Sequence, residues 1–349
     1  MINIDKLIIT PEMLNLIAEI DEFKGAWQLF GRLKPERLQE LKKVATIESI
    51  GSSTRIEGVK LSNSEIEQLL THAKKYSFIS RDEQEVAGYA RVCEEIYTSF
   101  ENIPFTENTI KQLHSWLLQF SEKDQRHRGE YKKFSNNVEA FDSSGKSLGV
   151  VFETTSPFDT PFRMEELVNW TREQLESKEL HPLLITGIFV VVFLAIHPFQ
   201  DGNGRLSRLL ITLLLLKSGY LYISYSSFES VIERSKESYY LALHKTQQTL
   251  KTKLPDFTPW LLFFLRALQK QKQHLVQKIE LERRVYFQLS SLSIQVLSLI
   301  NQHGNLKISE LESMTKANRN TLKKTVSYLV DSKYIVQHGK GRATWYGIN

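Results

Sequence analysis

Residues 183–196, LLITGIFVVVFLAI, contain no charged side chain and are apolar on every side of a helical wheel. A bilayer crossing needs about 20 such residues, so this stretch is too short to span one. As a helix with no polar face it has to lie deep in a folded core. It ends on His197, and Pro198 stops the helix there. Asp201-Gly-Asn-Gly204 has turn composition, and an apolar helical pattern restarts at Arg205, runs to Leu216 and stops at Ser218-Gly219. The centre of the chain therefore reads as buried helix, tight loop, second helix.

The remainder is compatible with that core. The chain has 349 residues, 41% of them hydrophobic, enough for two or three domains. Apolar residues recur three and four apart over 37–50, 63–75, 82–100, 107–120 and 164–175, which predicts helices. Residues 132–157 break that rhythm: Val138, Ala140 and Phe141, then Ser143-Ser-Gly145, then Val150-Val-Phe152, predict a hairpin. A Lys- and Gln-rich helix over about 258–287, with a stripe including Leu262, Leu265, Leu268, Leu275 and Ile279, reads as a connector to a C-terminal domain. There are no repeats. The single cysteine, Cys93, excludes an internal disulfide and sits at a core position of its helix. Asp5 and Lys6 interrupt what an export signal would need, so the expected location is cytoplasmic, without a membrane partner.

The loop 197–208 carries its own chemistry. Gly202 and Gly204 let the backbone approach a ligand, and the free N–H groups opening the next helix make an anion site, for which phosphate is the natural occupant. Arg205 and Arg208, three apart, oppose the positive end of the helix dipole at about 0.3–1 kcal/mol each unless an anion binds there. Asp201 suits a magnesium ion shared with phosphate oxygens. His197 suits proton acceptance near neutral pH.

Taken whole, His197-Pro-Phe-Gln-Asp-Gly-Asn-Gly-Arg-Leu-Ser-Arg208 resembles the signature of the Fic family, HPFx(D/E)GNGRxxR. The resemblance covers about residues 1–270. It implies a mainly α fold, a Fic-type helical core with a β-hairpin flap. It also implies a protein adenylyltransferase that moves AMP from ATP, with Mg2+, onto a Ser, Thr or Tyr hydroxyl of a target protein or of itself. Carried over by position, His197 is the catalytic base and Asp201 the metal ligand. Gly202, Asn203 and Gly204 form the anion hole, Arg205 and Arg208 hold the β- and γ-phosphates, and Phe199 anchors this nucleotide-binding loop in the core. The hairpin resembles the family's flap, with Val150, Val151 and Phe152 as the edge that pairs with a target segment. The flap lacks a Pro-Pro pair, and Ser235 stands where an asparagine near the adenosine is common. Upstream, Ser53-Thr-Arg-Ile-Glu57-Gly58 matches the family's inhibitory pattern (S/T)xxxE(G/N), which implies autoinhibition by Glu57 pairing with Arg208. Relatives that transfer phosphate usually carry Lys at the position of Gly204; transfer of phosphocholine and removal of AMP are further variants.

Beyond residue 290 the order helix (293–302), helix (308–315), helix (319–332), then Tyr334-Ile-Val and Ala343-Thr-Trp-Tyr around a glycine turn, resembles a small α+β winged helix. The net charge is +5, and from Gly304 onward Lys307, Lys316, Arg319, Lys323, Lys324, Lys333, Lys340 and Arg342 face only Glu310, Glu312 and Asp331. Asn318, Arg319, Asn320, Lys323 and Lys324 on the third helix, with Lys340 and Arg342 on the wing, are candidate DNA contacts. Protein binding, dimerisation or a merely solvated basic face are the other readings of this domain. The expected organisation is 1–80 with the inhibitory motif, 81–270 the catalytic core, 271–290 the connector and 291–349 the winged-helix-like domain, in a homodimer. A nucleotide-sensing, DNA-binding transcription regulator on the same scaffold is the alternative function.

Overall fold

The computed structural model describes residues 2–27, 35–72, 78–141, 147–288, 290–332, 334–339, 341 and 344–347. It contains mostly helix and two small two-stranded sheets. Two compact units result, Met1–Leu275 and Val276–Asn349.

At the centre of the first unit lie α7 (Pro182–Ile196) and α8 (Asn203–Lys217). Nearly every residue of both is buried: α7 has no polar face to present to water, and the polar residues at the start of α8, Arg205 and Arg208 among them, are buried on partners within the unit. Pro182 starts α7 behind His181, whose ring nitrogen accepts from the Leu183 N–H. Around this pair pack α2 (Pro35–Ile56), α4 (Arg81–Ser99), α5 (Glu107–Leu117), α6 (Thr160–Ser177), α9 (Phe228–Arg234), α10 (Lys236–Gln247) and the first half of α11 (Thr258–Gln288). Glycines set two close approaches. A Cβ on Gly187 would lie 2.7 Å from Leu261, and the Trp260 indole donates to the Gly187 carbonyl at 2.7 Å. A Cβ on Gly88 would lie only 1.9 Å from the Leu117 carbonyl oxygen, so α4 and α5 meet backbone to backbone. Cys93 is buried on α4, where the periodicity places it. α1 (Pro11–Trp27) and α3 (Asn63–His72) complete the N-terminal region.

The hairpin is β1 (Val138–Phe141) and β2 (Ser147–Phe152), antiparallel, with Val138 opposite Phe152 and Glu139 opposite Val150. Its turn, 142–146, lies outside the described residues. No further strand pairs with it among the described residues, which leaves outer edges open.

The second unit has its own core: Val296 and Ile300 on α12 (Ser291–His303), Leu311 on α13 (Ile308–Thr315), and Leu322, Val326 and Leu329 on α14 (Arg319–Asp331). β3 (Val336–His338) pairs with β4 (Trp345–Gly347), and Leu306 exchanges both backbone bonds with Tyr346, adding a third short strand position. No helix among the described residues is long and apolar enough to cross a membrane.

Candidate active site

α7 ends on His197, whose backbone is left-handed (φ 53°, ψ 59°). For a non-glycine residue this costs about 1–3 kcal/mol, so the neighbours must impose it. Asn203 closes the loop: its side chain accepts from the Phe199 N–H at 2.9 Å and donates to the Phe199 carbonyl at 2.7 Å. Phe199 is fully buried and stacks on His114, ring centroids 3.8 Å apart. It sits at the core side of the nucleotide-binding loop, as the anchor role expects, and does not itself line the cavity. His114 accepts from the Gly129 N–H at Nδ1 and donates to the Asp201 carbonyl at Nε2, both at 2.9 Å. Those two bonds need a neutral ring, and burial pushes its pKa down to about 4.

His197 Nδ1 lies 3.2 Å from the Leu194 carbonyl. A carbonyl only accepts, so Nδ1 carries the proton and Nε2 keeps the lone pair. Burial pushes this imidazole down to about 4 as well, so it is neutral at pH 7. The two histidines together give a stability prediction. Unfolded, each titrates near 6.5; folded, near 4. Between those values the unfolded chain holds more protons, so stability is full above about pH 6.5 and is lost as the pH falls. Melting temperature followed by circular dichroism should drop progressively from pH 6.5 to 5. A flat profile over that window would show that neither ring is buried neutral.

The first turn of α8 forms the other wall. Gly202, at φ 82°, is the N-cap, and no side chain caps the helix. The N–H groups that open α8 at Asn203, Gly204 and Arg205 have no partner within the helix, which is the geometry that receives an anion. Asp201 accepts from the Gly202 N–H at 2.5 Å and from Arg205 at 3.2 Å. Burial works to raise its pKa, but Arg205 and the Gly202 N–H outweigh it, so the carboxylate stays ionised. Arg205 is only 2% exposed and is also gripped by Glu85 on α4 at 3.0 Å, while Glu85 accepts from Arg81 at 2.7 Å.

Arg208, 1% exposed, donates from Nε to Ser53 Oγ at 2.7 Å and from Nη2 to the Ser53 carbonyl at 3.0 Å and Glu57 Oε1 at 2.7 Å. Ser53 is on the last turn of α2, whereas Glu57 stands just beyond the helix end, in a turn that Gly58 (φ 105°) completes. The Glu57 side chain keeps 32% of its exposure. Burial opposes its ionisation, but Arg208 wins and holds the carboxyl below its usual range. The carboxylate covers the first turn of α8 so closely that a Cβ on Gly204 would lie 2.3 Å from Glu57 Oε1. It thus occupies the region an anion would enter. The end of α2 is fastened by Arg55, which donates to both oxygens of Glu233 at 2.7 and 3.1 Å, and by Lys236, which donates to the Ile56 carbonyl at 2.7 Å.

These groups converge on a cavity of about 350 Å³ bounded by Glu57, His197, the 200–205 loop, Arg208, Phe152 of β2 and one face of α10. That face presents Tyr239, Tyr240, Leu243, His244 and Gln247. Ser235 is not among them: it caps the junction of α9 and α10, its hydroxyl donates to the Val231 carbonyl at 2.7 Å, and it borders a different cavity. Ser235, expected near the adenosine, does not line this cavity; one helical turn along, α10 turns the tyrosines to the loop. The side chains of Val150 and Val151 lie outside what is described; the β2 backbone carries them in register with β1. In the second unit Arg319, Asn320, Lys323 and Lys324 are all exposed on α14, Asn318 is its N-cap, and Lys340 and Arg342 lie outside the described residues.

Sequence reasoning missed His114, Glu85, Lys132 and Asn136. His114 reads locally as one more inward position of an amphipathic helix, and no spacing rule ties the others to the loop.

Among the described residues no cluster of three or more His, Cys, Asp or Glu forms a ready-made metal cage. One ionised carboxylate beside an anion site does suit magnesium, which takes one or two carboxylates and draws its other ligands from phosphate and water.

A helical core with a hairpin beside a histidine-ended buried helix and a glycine-rich helix N-terminus defines a Fic-type domain. Residues 104–215 match the Fic/DOC family. The chain is 25% identical over 203 residues to a probable protein adenylyltransferase of Aquifex aeolicus, covering 58% of this chain and 57% of that one. It is 28% identical over 185 residues to the protein adenylyltransferase Fic of Drosophila grimshawi, covering 52% and 35%. The matches thus span about half, or less, of these relatives' length. In fold, it is similar to a Fic family protein from Desulfovibrio desulfuricans, with a TM-score of 0.66 at 24% identity over 98% of this chain and 97% of the other. A Fic domain containing signaling protein from Bacteroides thetaiotaomicron gives 0.59 at 24% identity, over 74% and 97%.

Proposed function

We propose that this chain transfers AMP from ATP to a hydroxyl side chain of a protein and that Glu57 holds this activity in check. The observation that carries the reading is the convergence, in one cavity, of a neutral His197 with Nε2 unprotonated, an uncapped helix N-terminus, and Arg208 occupied by a carboxylate where a phosphate would bind. The triphosphate lies along the first turn of α8, its β- and γ-oxygens taken by the backbone N–H groups and Arg208. Asp201 would hold a magnesium ion, which would supply neutralisation of phosphate charge. The base lies against α10, beside Tyr239, Tyr240 and Leu243, which offer aromatic and apolar faces.

His197 Nε2 takes the proton of the target hydroxyl as its oxygen bonds to the α-phosphorus. The bond from that phosphorus to the bridging oxygen breaks, and pyrophosphate leaves. Positioning and charge neutralisation carry most of such a transfer. The target segment is presented by pairing with the open edge of β2, a mode whose affinity comes from backbone bonds. Label from α-³²P-ATP entering protein, with pyrophosphate released, is the direct test; labelled AMP that stays free in solution would reduce the chain to a hydrolase.

For the second unit we propose contact with duplex DNA through α14. Lys323 and Lys324 are exposed on the face opposite Leu322, Val326 and Leu329. Of the acidic residues of α13, Glu310 accepts from the Lys307 N–H, whereas Glu312 pairs with Arg319 of α14, which leaves Lys323 and Lys324 as the basic residues the proposal rests on. A short helix, a three-residue turn and a longer helix with polar and basic N-terminal residues is the arrangement that enters a major groove. The full chain should bind random duplex DNA, and changing Lys323 and Lys324 to Glu should lower the salt slope by roughly 2, at about 0.9 per phosphate contact. Binding with an unchanged slope would remove α14 from the interface.

A further inference from the structure

Lys132 is 3% exposed and pairs with no carboxylate among the described residues. Its three ammonium protons go to neutral acceptors: Asn136 Oδ1 at 2.8 Å, Thr154 Oγ1 at 2.8 Å and the Ile196 carbonyl at 3.0 Å. An ammonium buried without a counter-ion is costly to keep, and burial pushes this one down to about 8. Such an arrangement calls for a purpose, and its contacts supply one.

Four successive carbonyls around the candidate base are held by two residues. Lys132 Nζ takes that of Ile196, and the Lys132 N–H takes that of Pro198 at 2.8 Å. Asn136 Nδ2 takes those of His197 at 3.3 Å and Phe199 at 2.6 Å. The cation also sits at the C-terminus of α7, where the helix dipole is negative. Left-handed His197 is therefore pinned on both sides.

The same cluster holds the base of the hairpin. Lys132 and Asn136 enter β1, and Thr154 leaves β2. Thr154 accepts from Lys132 and donates to Asn136 Oδ1 at 3.1 Å, and its N–H donates to Asn137 Oδ1 at 3.2 Å. The strand edge offered to a target and the backbone carrying His197 thus share one hydrogen-bonded knot.

We propose that Lys132, acting with Asn136, is a positioning residue that sets the register between a target strand on the hairpin and Nε2 of His197. The proposal rests on the transferase reading of the site. Lys132 touches neither the cavity wall nor the anion site, so its loss acts on the transfer step and leaves nucleotide binding intact.

The test measures label from α-³²P-ATP entering the full-length chain and lysate protein, at saturating ATP and across an ATP series. The variants Lys132→Met, Lys132→Arg and Asn136→Ala are compared in a Glu57→Gly background, with melting curves alongside. The expected result is a fall of at least tenfold in the saturated rate for Lys132→Met and Asn136→Ala, a half-saturating ATP concentration within twofold of the parent, and partial recovery in Lys132→Arg. Asn136→Ala buries no charge and keeps the comparison valid if Lys132→Met does not melt cooperatively. A saturated rate equal to the parent's in Asn136→Ala and in any folded Lys132→Met would overturn the inference, as would a loss carried entirely by weaker ATP use. A Glu57→Gly parent that transfers nothing overturns the transferase reading itself, and the two failures are told apart by that control.

Discussion

Glu57→Gly should raise the rate of AMP transfer by about 10- to 100-fold over the native chain. Arg208 is nearly fully buried and its guanidinium is already satisfied by Ser53 and Glu57. A γ-phosphate reaching the same guanidinium has to displace the carboxylate and meets its negative charge on the way. A hydrogen bond to a charged group contributes about 1.5–3 kcal/mol, which sets the expected range. Because Glu57 remains partly exposed, solvent screens part of the pair, and the lower end applies more readily than the figure for a fully buried bridge. Removing the carboxylate should also tighten ATP binding, measurable by calorimetry. The same rate and the same ATP affinity in native and Glu57→Gly proteins would leave the Glu57–Arg208 pair a structural contact. The other fastenings of α2, Arg55 to Glu233 and Lys236 to Ile56, remain in this variant, so the change is local to the anion site.

His197→Ala in the Glu57→Gly background should lower transfer by about 10²- to 10⁴-fold, the usual contribution of a positioned general base. The geometry makes the loss specific to the chemical step. The ring's Nδ1 is committed to the Leu194 carbonyl and only Nε2 is available to a hydroxyl. The anion site belongs to α8 and survives the substitution, so ATP affinity should stay near that of the Glu57→Gly parent. Transfer that persists within tenfold of the parent would assign the proton to another group. The loop itself should hold its course without the imidazole, since Asn203, Asn136 and the stacked pair Phe199 and His114 hold its backbone.

Much of this site was legible from local signals. Periodicity alone placed the buried helices, because a stretch like 183–196 has no side that water would accept. Proline and glycine marked the loop, and the spacing of His197, Asp201, Arg205 and Arg208 marked its chemistry. The hairpin was legible for the complementary reason, a break in helical spacing around a turn composition. Element ends were less so: α2 runs through Ile56 to the doorstep of Glu57, where sequence periodicity had faded at residue 50.

By itself, then, the sequence determined the helix–loop–helix, the resemblance of the loop to the Fic signature and the residue types at the loop, because each follows from neighbours within a few turns of chain. Tertiary structure alone decided which distant groups meet them. Glu57 reaches Arg208 across 151 residues and Lys132 reaches Ile196 across 64, and only the packing of α2 and the hairpin against α7 and α8 brings them within hydrogen-bond distance. The helical phase of α10 likewise decides which of its side chains line the cavity, Tyr239 and Tyr240 among them, while Ser235 borders another. Coulomb attraction and hydrogen bonding act over a few ångströms of space, so no local pattern in a chain can record a partner that folding alone delivers.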